Sequence, residues 1–156
     1  MTDRIVIRPA RAGDSEFVAG LVPSLLQLAS PAWADTEAMA PGFREVLTEA
    51  VRTDNERAAV LIAQRPDGTP LGFISLKISA DAAGNERGHV ADLAVAENAR
   101  RIGVGRALMQ AGEAWAREQG LPFLSLDVWS TNERALAFYR SLGYRTESLC
   151  LIKALD

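Results

Sequence analysis

The sequence predicts an α/β domain of mixed α+β character, with about six strands and four helices in mixed order around one central sheet. Three stretches carry that prediction. Residues 58–64 and 71–78 are apolar, strand-like runs joined by Pro66-Asp67-Gly68-Thr69, a hairpin turn by composition. Residues 88–109 pass from a strand pattern, through a basic loop with two glycines, into an amphipathic helix. Residues 130–143 read as a capped helix that stops at a glycine and gives way to an alternating run from Tyr144.

From the start of the chain, Ile5-Val6-Ile7-Arg8 is a short strand closed by Pro9. Asp14 is placed to cap a helix running towards Leu21, and Pro23 to start or kink a second piece through Leu28. Residues 30–41 are expected to be irregular, holding two prolines, an exposed Trp33 and the acids Asp35 and Glu37. Residues 43–51 form the next helix. After the hairpin, 81–87 is a polar loop and 88–95 the strand that enters the basic loop. The helix over 103–118 should bury Val104, Ala107, Leu108, Ala111 and Trp115 and turn Arg106, Gln110, Glu113 and Arg117 to water. Gly120 ends it, Pro122 follows, and 123–128 is the next strand. Ser130 caps the last helix, with Glu133 completing a capping box; Ala135, Phe138, Tyr139 and Leu142 share its apolar stripe. The final strand takes in Cys150 as a small core residue rather than a catalytic thiol.

Length and composition bound the function. A chain of 156 residues is expected to be one domain, 1–156, burying roughly two-thirds of its unfolded surface. Hydrophobic residues at 48% and charged residues at 24% are the balance of a soluble globular protein. A net charge of −3 without a basic run argues against a nucleic-acid partner. The apolar runs are too short to span a membrane and the N-terminus carries no signal-peptide core, so a cytoplasmic location without membrane attachment is expected. The single cysteine excludes an internal disulfide.

The basic loop is the most informative stretch. A strand-to-helix junction aims backbone N–H groups and the positive end of a helix at one point, and Arg100, Arg101 and Arg106 add charge around it, so a phosphate-bearing ligand is expected. A Walker loop would need Gly-Lys-Ser or Gly-Lys-Thr, but Gly105 is followed by Arg106-Ala107. A dinucleotide fingerprint lacks its third small residue, because Leu108 stands there, and six residues (96–101) separate strand from helix. Asp127, about 22 residues past Gly105, is nonetheless near where a ribose-binding acid would fall. The third reading is Arg100-x-x-Gly103-x-Gly105. It resembles the pyrophosphate-binding signature of the GNAT superfamily of acetyl-CoA-dependent N-acetyltransferases. Asn132-x-x-Ala135-x-x-x-Tyr139-x-x-x-Gly143-Tyr144 is similar to that family's second signature, with Tyr144 where Phe is usual. Two signatures about 30 residues apart, in order, are far more specific than either alone.

The resemblance implies the GNAT fold, a central mixed, mostly antiparallel sheet of six to seven strands flanked by about four helices. The strands at 88–95 and 123–128 would run parallel and splay, and a pantetheine arm would enter the gap. Acetyl-CoA would be the cosubstrate, with no metal. Its expected contacts are the backbone of Leu93, Ala94 and Val95, the loop Arg100, Arg101, Ile102, Gly103, Val104, Gly105 and Arg106, and the side chains of Asn132 and Tyr139. Val95 N–H would serve the thioester carbonyl and Tyr139 would act as the acid at the sulfur. Acetyl transfer also needs a base, since only about one molecule in 2,000 of a lysine-like amine is neutral at pH 7. The only histidine, His89, stands where some histone acetyltransferases of the family carry a catalytic Glu, and an imidazole suits the task. By strict alternation Asp92 faces the opposite side of the sheet. Spermidine/spermine acetyltransferases have an adjacent Glu-Asp pair here; this chain has Ala91-Asp92, which puts a mechanism of that type in doubt. Asp92 would hold a cationic amine or act through water, and Glu37 in the Trp33 loop is a further acid. The acidic loops around Trp33 and at 81–86 would suit a cationic acceptor. The expected activity is acetyl transfer to a primary amine of a small molecule or peptide, with a homodimer allowed. The alternative is a non-catalytic acyl-CoA-binding or sensor module.

Overall fold

Among the described residues of the computed structural model (4–27, 30–53 and 55–155), five strands make one sheet in chain order. The elements are β1 (Val6–Pro9), α1 (Ser15–Gly20), α2 (Val22–Gln27), α3 (Thr36–Arg52), β2 (Ala58–Gln64), β3 (Pro70–Ala80), β4 (Glu86–Val95), α4 (Val104–Glu118), β5 (Leu124–Leu126) and α5 (Glu133–Ser141), with 3-10 turns at Ala12–Asp14 and Glu97–Ala99. Neighbouring strands are antiparallel except β4 and β5, which run parallel. The sheet is therefore mixed and mostly antiparallel, as expected, but it has five strands rather than six to seven, and five helices rather than four.

The β2–β3 hairpin forms where its turn residues place it. Arg65 N–H donates to Thr69 O, Gly68 N–H to Arg65 O, and Gly68 takes φ +92, which a side chain would strain. One face of the sheet is covered by α1, α2 and α3, around Val18, Val22, Leu47, Ile62, Phe73 and Ala94. The other is covered by α4, around Val104, Leu108, Met109, Ile74, Leu76 and Val90, with Phe138, Tyr139 and Leu142 of α5 at its margin. Gly112 lets α4 lie close on the sheet: a Cβ there would sit 3.1 Å from Ile74 Cδ1 and 3.2 Å from Leu76 Cδ2. The buried stripe of α4 is accordingly Val104, Leu108, Met109, Gly112 and Ala116. Ala107, Ala111 and Trp115 lie at its edge, so the stripe is rotated from the expected one. Small residues decide this, because a hydrophobicity pattern scores Gly112 as polar filler.

Four further expectations are corrected. The irregular stretch 30–41 is largely helix: α3 starts at Thr36 because the Asp35 carboxylate accepts from Ala38 N–H at 3.0 Å, and it runs through Pro41. Asp14 stands at the N-cap of α1 without capping it, since its carboxylate takes two Arg8 N–H bonds at 2.7 and 2.8 Å and Arg11 N–H at 2.7 Å. Asn132, not Ser130, caps α5, accepting from Ala135 N–H at 3.1 Å. The residues from Tyr144 to 155 form no strand, and Cys150 is exposed rather than in the core. Alternation shows what a segment could bury, not that a ladder partner exists, and β5 offers only three residues. Arg87 holds the start of this segment through Glu147 at 2.7 Å, while Leu149, Leu151, Ile152 and Leu155 stay exposed. Leu28, the expected end of the Pro23 helix, lies outside the described residues; α2 reaches Gln27 with Pro23 in its first turn.

Candidate active site

The site is organised by the place where β4 and β5 part. Their parallel pairing covers only Gly88–Leu124, His89–Ser125 and Val90–Leu126. Beyond Val90 the β5 edge of β4 has no strand partner among the described residues. Which backbone groups point into that opening follows from the ladder on the other side. Ala96 N–H donates to Leu71 O at 2.8 Å, and Val95 is registered with Gly72. Antiparallel pairs alternate between bonded and non-bonded, so Leu93 and Val95 turn their N–H and C=O groups away from β3 and into the opening, while Ala94 belongs to the β3 ladder. Gly72 permits the tight approach at this point: a Cβ there would lie 2.6 Å from Ala94 O.

The basic loop closes one end of the opening. After β4 the chain makes the turn at Glu97–Ala99, then Arg100 is extended, Arg101 is left-handed at φ 65 and Gly103 left-handed at φ 90. Gly103 is the N-cap of α4 and has no side chain to cap with, and Ala107 N–H is the first to find an intrahelical partner, at Gly103 O. The N–H groups of Val104, Gly105 and Arg106 therefore stand as donors at the positive end of a helix with no acid in its first turn. Among the described contacts none of Arg100, Arg101 and Arg106 is paired with a carboxylate. These orphan donors, and the lack of a capping side chain, fit an anion such as a pyrophosphate. Gly105 serves a different purpose from Gly103. It is ordinary helix, and a Cβ on it would meet Phe138 Cζ at 3.3 Å, so its smallness seats α5 against the start of α4.

That contact places Tyr139 beside the loop. Its ring lies 5.2 Å from Phe138 and 6.1 Å, edge-on, from Tyr144, and burial pushes its phenol up to about 12. Its hydroxyl bonds to no described residue. Tyr144 is engaged differently, donating to Glu113 Oε1 at 3.2 Å; burial and then that carboxylate hold its phenol protonated. Asn132 spends its side-chain oxygen on the helix cap, which leaves only its amide N–H groups for a ligand.

The opposite face of the same opening is polar. Ser75 is registered with Asp92 and Leu76 with Val90, so Ala91 is skipped as a β-bulge. The bulge resets the alternation and brings His89 and Asp92 to the same face, the α3 side, instead of opposite faces as strict period-two reading requires. Lys77, opposite His89, acts on both. Asp92 forms the polar floor of a small cavity of about 150 Å³ lined by Gly42, Phe43, Val46 and Leu47 of α3. Burial raises its carboxyl above the ordinary range, against the opposing pull of Lys77. His89 Nδ1 lies 2.9 Å from Ser125 Oγ, and Nε2 lies 3.5 Å from Asp127 Oδ2. Ser125 Oγ also donates to Gly88 O at 3.3 Å, so the imidazole is held between the Ser125 hydroxyl at Nδ1 and the Asp127 carboxylate at Nε2. Burial lowers the imidazole below its usual pKa, and the Asp127 carboxylate pulls in the opposite direction. Residue order alone does not point to Asp127 and Ser125 in these roles, because only the β4–β5 register brings them to His89. Glu37 is exposed in the first turn of α3. A larger cleft of about 1020 Å³ lies at the far edge of the sheet, between Arg52, Ala58 and Glu118, and contains none of the signature residues.

Comparison with known proteins points the same way. A family model described as the acetyltransferase (GNAT) family matches residues 22–144. An aminoglycoside N(6')-acetyltransferase type 1 from Klebsiella aerogenes is 42% identical over 90 residues, covering 56% of this chain and 59% of that protein. A streptothricin acetyltransferase from Streptomyces lavendulae is 31% identical over 153 residues, covering 88% of this chain and 79% of that one. Among solved structures, a GCN5-related N-acetyltransferase from Ralstonia eutropha superposes with a TM-score of 0.78 at 22% identity, over 97% of this chain and 99% of the other, which shows the shared fold.

Proposed function

The chain belongs to the acetyltransferase (GNAT) family, and from that premise we propose that it is an N-acetyltransferase moving an acetyl group from acetyl-CoA to a primary amine of a small molecule. The observation that carries the proposal is the side-chain-free N-cap of α4, whose donors face an opening edged by the unpaired backbone of Leu93 and Val95. The proposed unit of function is the one domain 1–156.

Acetyl-CoA supplies the activated acetyl group as a thioester. Val104, Gly105 and Arg106 N–H, with Arg100 and Arg101, hold its pyrophosphate. Leu93 and Val95 pair with its pantetheine arm, and the amide N–H of Asn132 adds a donor. Val95 N–H then faces the thioester carbonyl and stabilises the negative charge that develops on its oxygen. The His89 imidazole is the base; it stands six residues before Val95 along β4, so the proton of the attacking amine reaches it through ordered water, and Asp127 stabilises the imidazolium formed. Asp92, at the floor of the small cavity, holds the amine as a cation before that step. Tyr139 donates a hydrogen bond to the departing sulfur; with its phenol held at about 12 it keeps its proton at equilibrium and stabilises the thiolate without surrendering it. The aminoglycoside and streptothricin relatives, together with the carboxylates on this face, favour a cationic acceptor.

Thermal shift with acetyl-CoA, CoA and NAD tests the cofactor half. A ligand at 100 times its dissociation constant adds about 2.7 kcal/mol of stability. Acetyl-CoA and CoA should raise Tm and NAD should not; a shift with NAD alone would overturn the reading. A shift without turnover on amines would instead favour the acyl-CoA sensor, the runner-up that shares this loop.

A further inference from the structure

Two tryptophans stand outside both core layers, and their position is not explained by packing. Trp33, in the loop between α2 and α3, and Trp129, just after β5, are far apart in sequence, yet their rings meet edge-to-face at 5.5 Å and 83°. Trp33 is 59% and Trp129 38% exposed, and neither joins the residues packed on the sheet, whereas Trp115 does. An edge-to-face pair turns the edge of one ring to the face of the other, and both indoles keep solvent-exposed surface. Two residues before Trp129 is Asp127, whose side chain is 98% exposed and lies on the His89 side of the sheet. On that face Lys77 acts on Asp92, while Asp127 has His89, at 3.5 Å, as its one ion-pair partner among the described residues.

We propose that Trp33 and Trp129, with Asp127, form a cation-binding lip that takes a second, non-reacting ammonium of the acceptor, so that the preferred acceptors are di- or polycationic amines. This deepens the acetyltransferase reading, on which the acceptor role of the lip rests. Exposed indole faces attract ammonium groups through the ring quadrupole, and a neighbouring carboxylate adds charge in the same direction. A neutral group of the same shape gains neither term. The pair also ties the residues ahead of α3 to the segment after β5, two residues from Asp127.

The test uses probes that cannot be acetylated: choline and its uncharged carbon isostere, dimethylbutanol. Binding is followed through the indole N–H signals of the chain's 3 tryptophans in an NMR titration. Choline should shift the Trp33 and Trp129 signals, leave Trp115 in place, and bind at least about 5-fold more tightly than the isostere. Trp33→Leu and Trp129→Leu should each weaken choline about 5- to 30-fold with an unchanged acetyl-CoA thermal shift, and Trp129→Phe should retain most of the affinity. Equal binding of the two probes, or Leu variants that bind choline like wild type, would overturn the lip. Choline selectivity in a protein with no acetyl-CoA shift would leave a cation site but remove its role in acetyl transfer. An acetyl-CoA shift with no choline selectivity removes the lip alone.

Discussion

Replacing Gly103 by alanine separates the two demands that the loop places on its glycines. Gly103 sits at φ 90, and no atom lies within 4 Å of where an alanine Cβ would stand, so alanine meets no clash and the whole cost is conformational. A non-glycine residue in the left-handed region costs about 1–2 kcal/mol. For a chain of this length about 2–4 °C of Tm accompanies each kcal/mol, so Gly103→Ala should lower Tm by about 2–8 °C. If the residue relieves its strain by rotating to negative φ, the Val104, Gly105 and Arg106 N–H groups swing away and acetyl-CoA affinity falls as well. Gly105→Ala is the control. It keeps helical φ, gains up to about 1 kcal/mol of helix propensity, and crowds one mobile edge of Phe138 at 3.3 Å, so its apo Tm should stay close to wild type. Scanning fluorimetry with and without acetyl-CoA reads both quantities. A Gly103→Ala protein with wild-type Tm and an undiminished acetyl-CoA shift would refute the idea that the left-handed turn sets the loop. Gly103→Glu, which adds a carboxylate where the phosphates must approach, should abolish the shift in a folded protein.

Tyr139→Phe should hold acetyl-CoA affinity within a few-fold and lower kcat by about 10²–10³, the loss of one hydrogen-bond donor to the developing thiolate, measured by thiol release; full activity would leave Tyr139 as packing. With its phenol at about 12, kcat/KM should show no falling limb below about pH 10. If His89 is the base, kcat/KM rises with pH through a limb below the usual imidazole pKa, because burial outweighs Asp127, and His89→Gln removes that limb; if Asp92 only holds the cation, Asp92→Asn raises KM for amines with the limb intact. Arg8 holds the Asp14 carboxyl below its usual pKa, so this pair stabilises the fold above about pH 4 and loses that contribution as the pH falls through the depressed value. Urea denaturation of wild type and Asp14→Asn should therefore differ at pH 7 and converge in acid. Asn132→Ala should cost about 1 kcal/mol in the same assay as the α5 cap is lost.

Much of this is legible in residue order alone. The hairpin, the loop with its following helix, and the Tyr139 helix rest on turn glycines and 3.6-residue periodicity, which are local signals. What residue order hides is non-local. The Ala91 bulge puts His89 and Asp92 on one face, and no pattern of period two can reveal a skipped residue. Asp127 and Trp129 acquire partners only through the β4–β5 register and the placement of the Trp33 loop. Gly105 matches a phosphate signature, yet the constraint on it is the approach of Phe138. Local competition explains the rest: Asp14 pairs with Arg8 rather than capping, and Asp35 starts a helix across a proline that would be expected to forbid it.

That this opening joins acetyl-CoA to an amine is the central claim, and the most direct measurement follows both products at once. Purified protein is given acetyl-CoA and a panel of mono-, di- and polycationic amines, with free thiol read optically and the acceptor read by mass spectrometry. The expected result is thiol release that depends on the amine, matched mole for mole by acceptors heavier by one acetyl group, fastest for polycations and lost in Gly103→Glu. Acetyl-CoA binding with no amine-dependent thiol release and no acetylated product across the panel would contradict it.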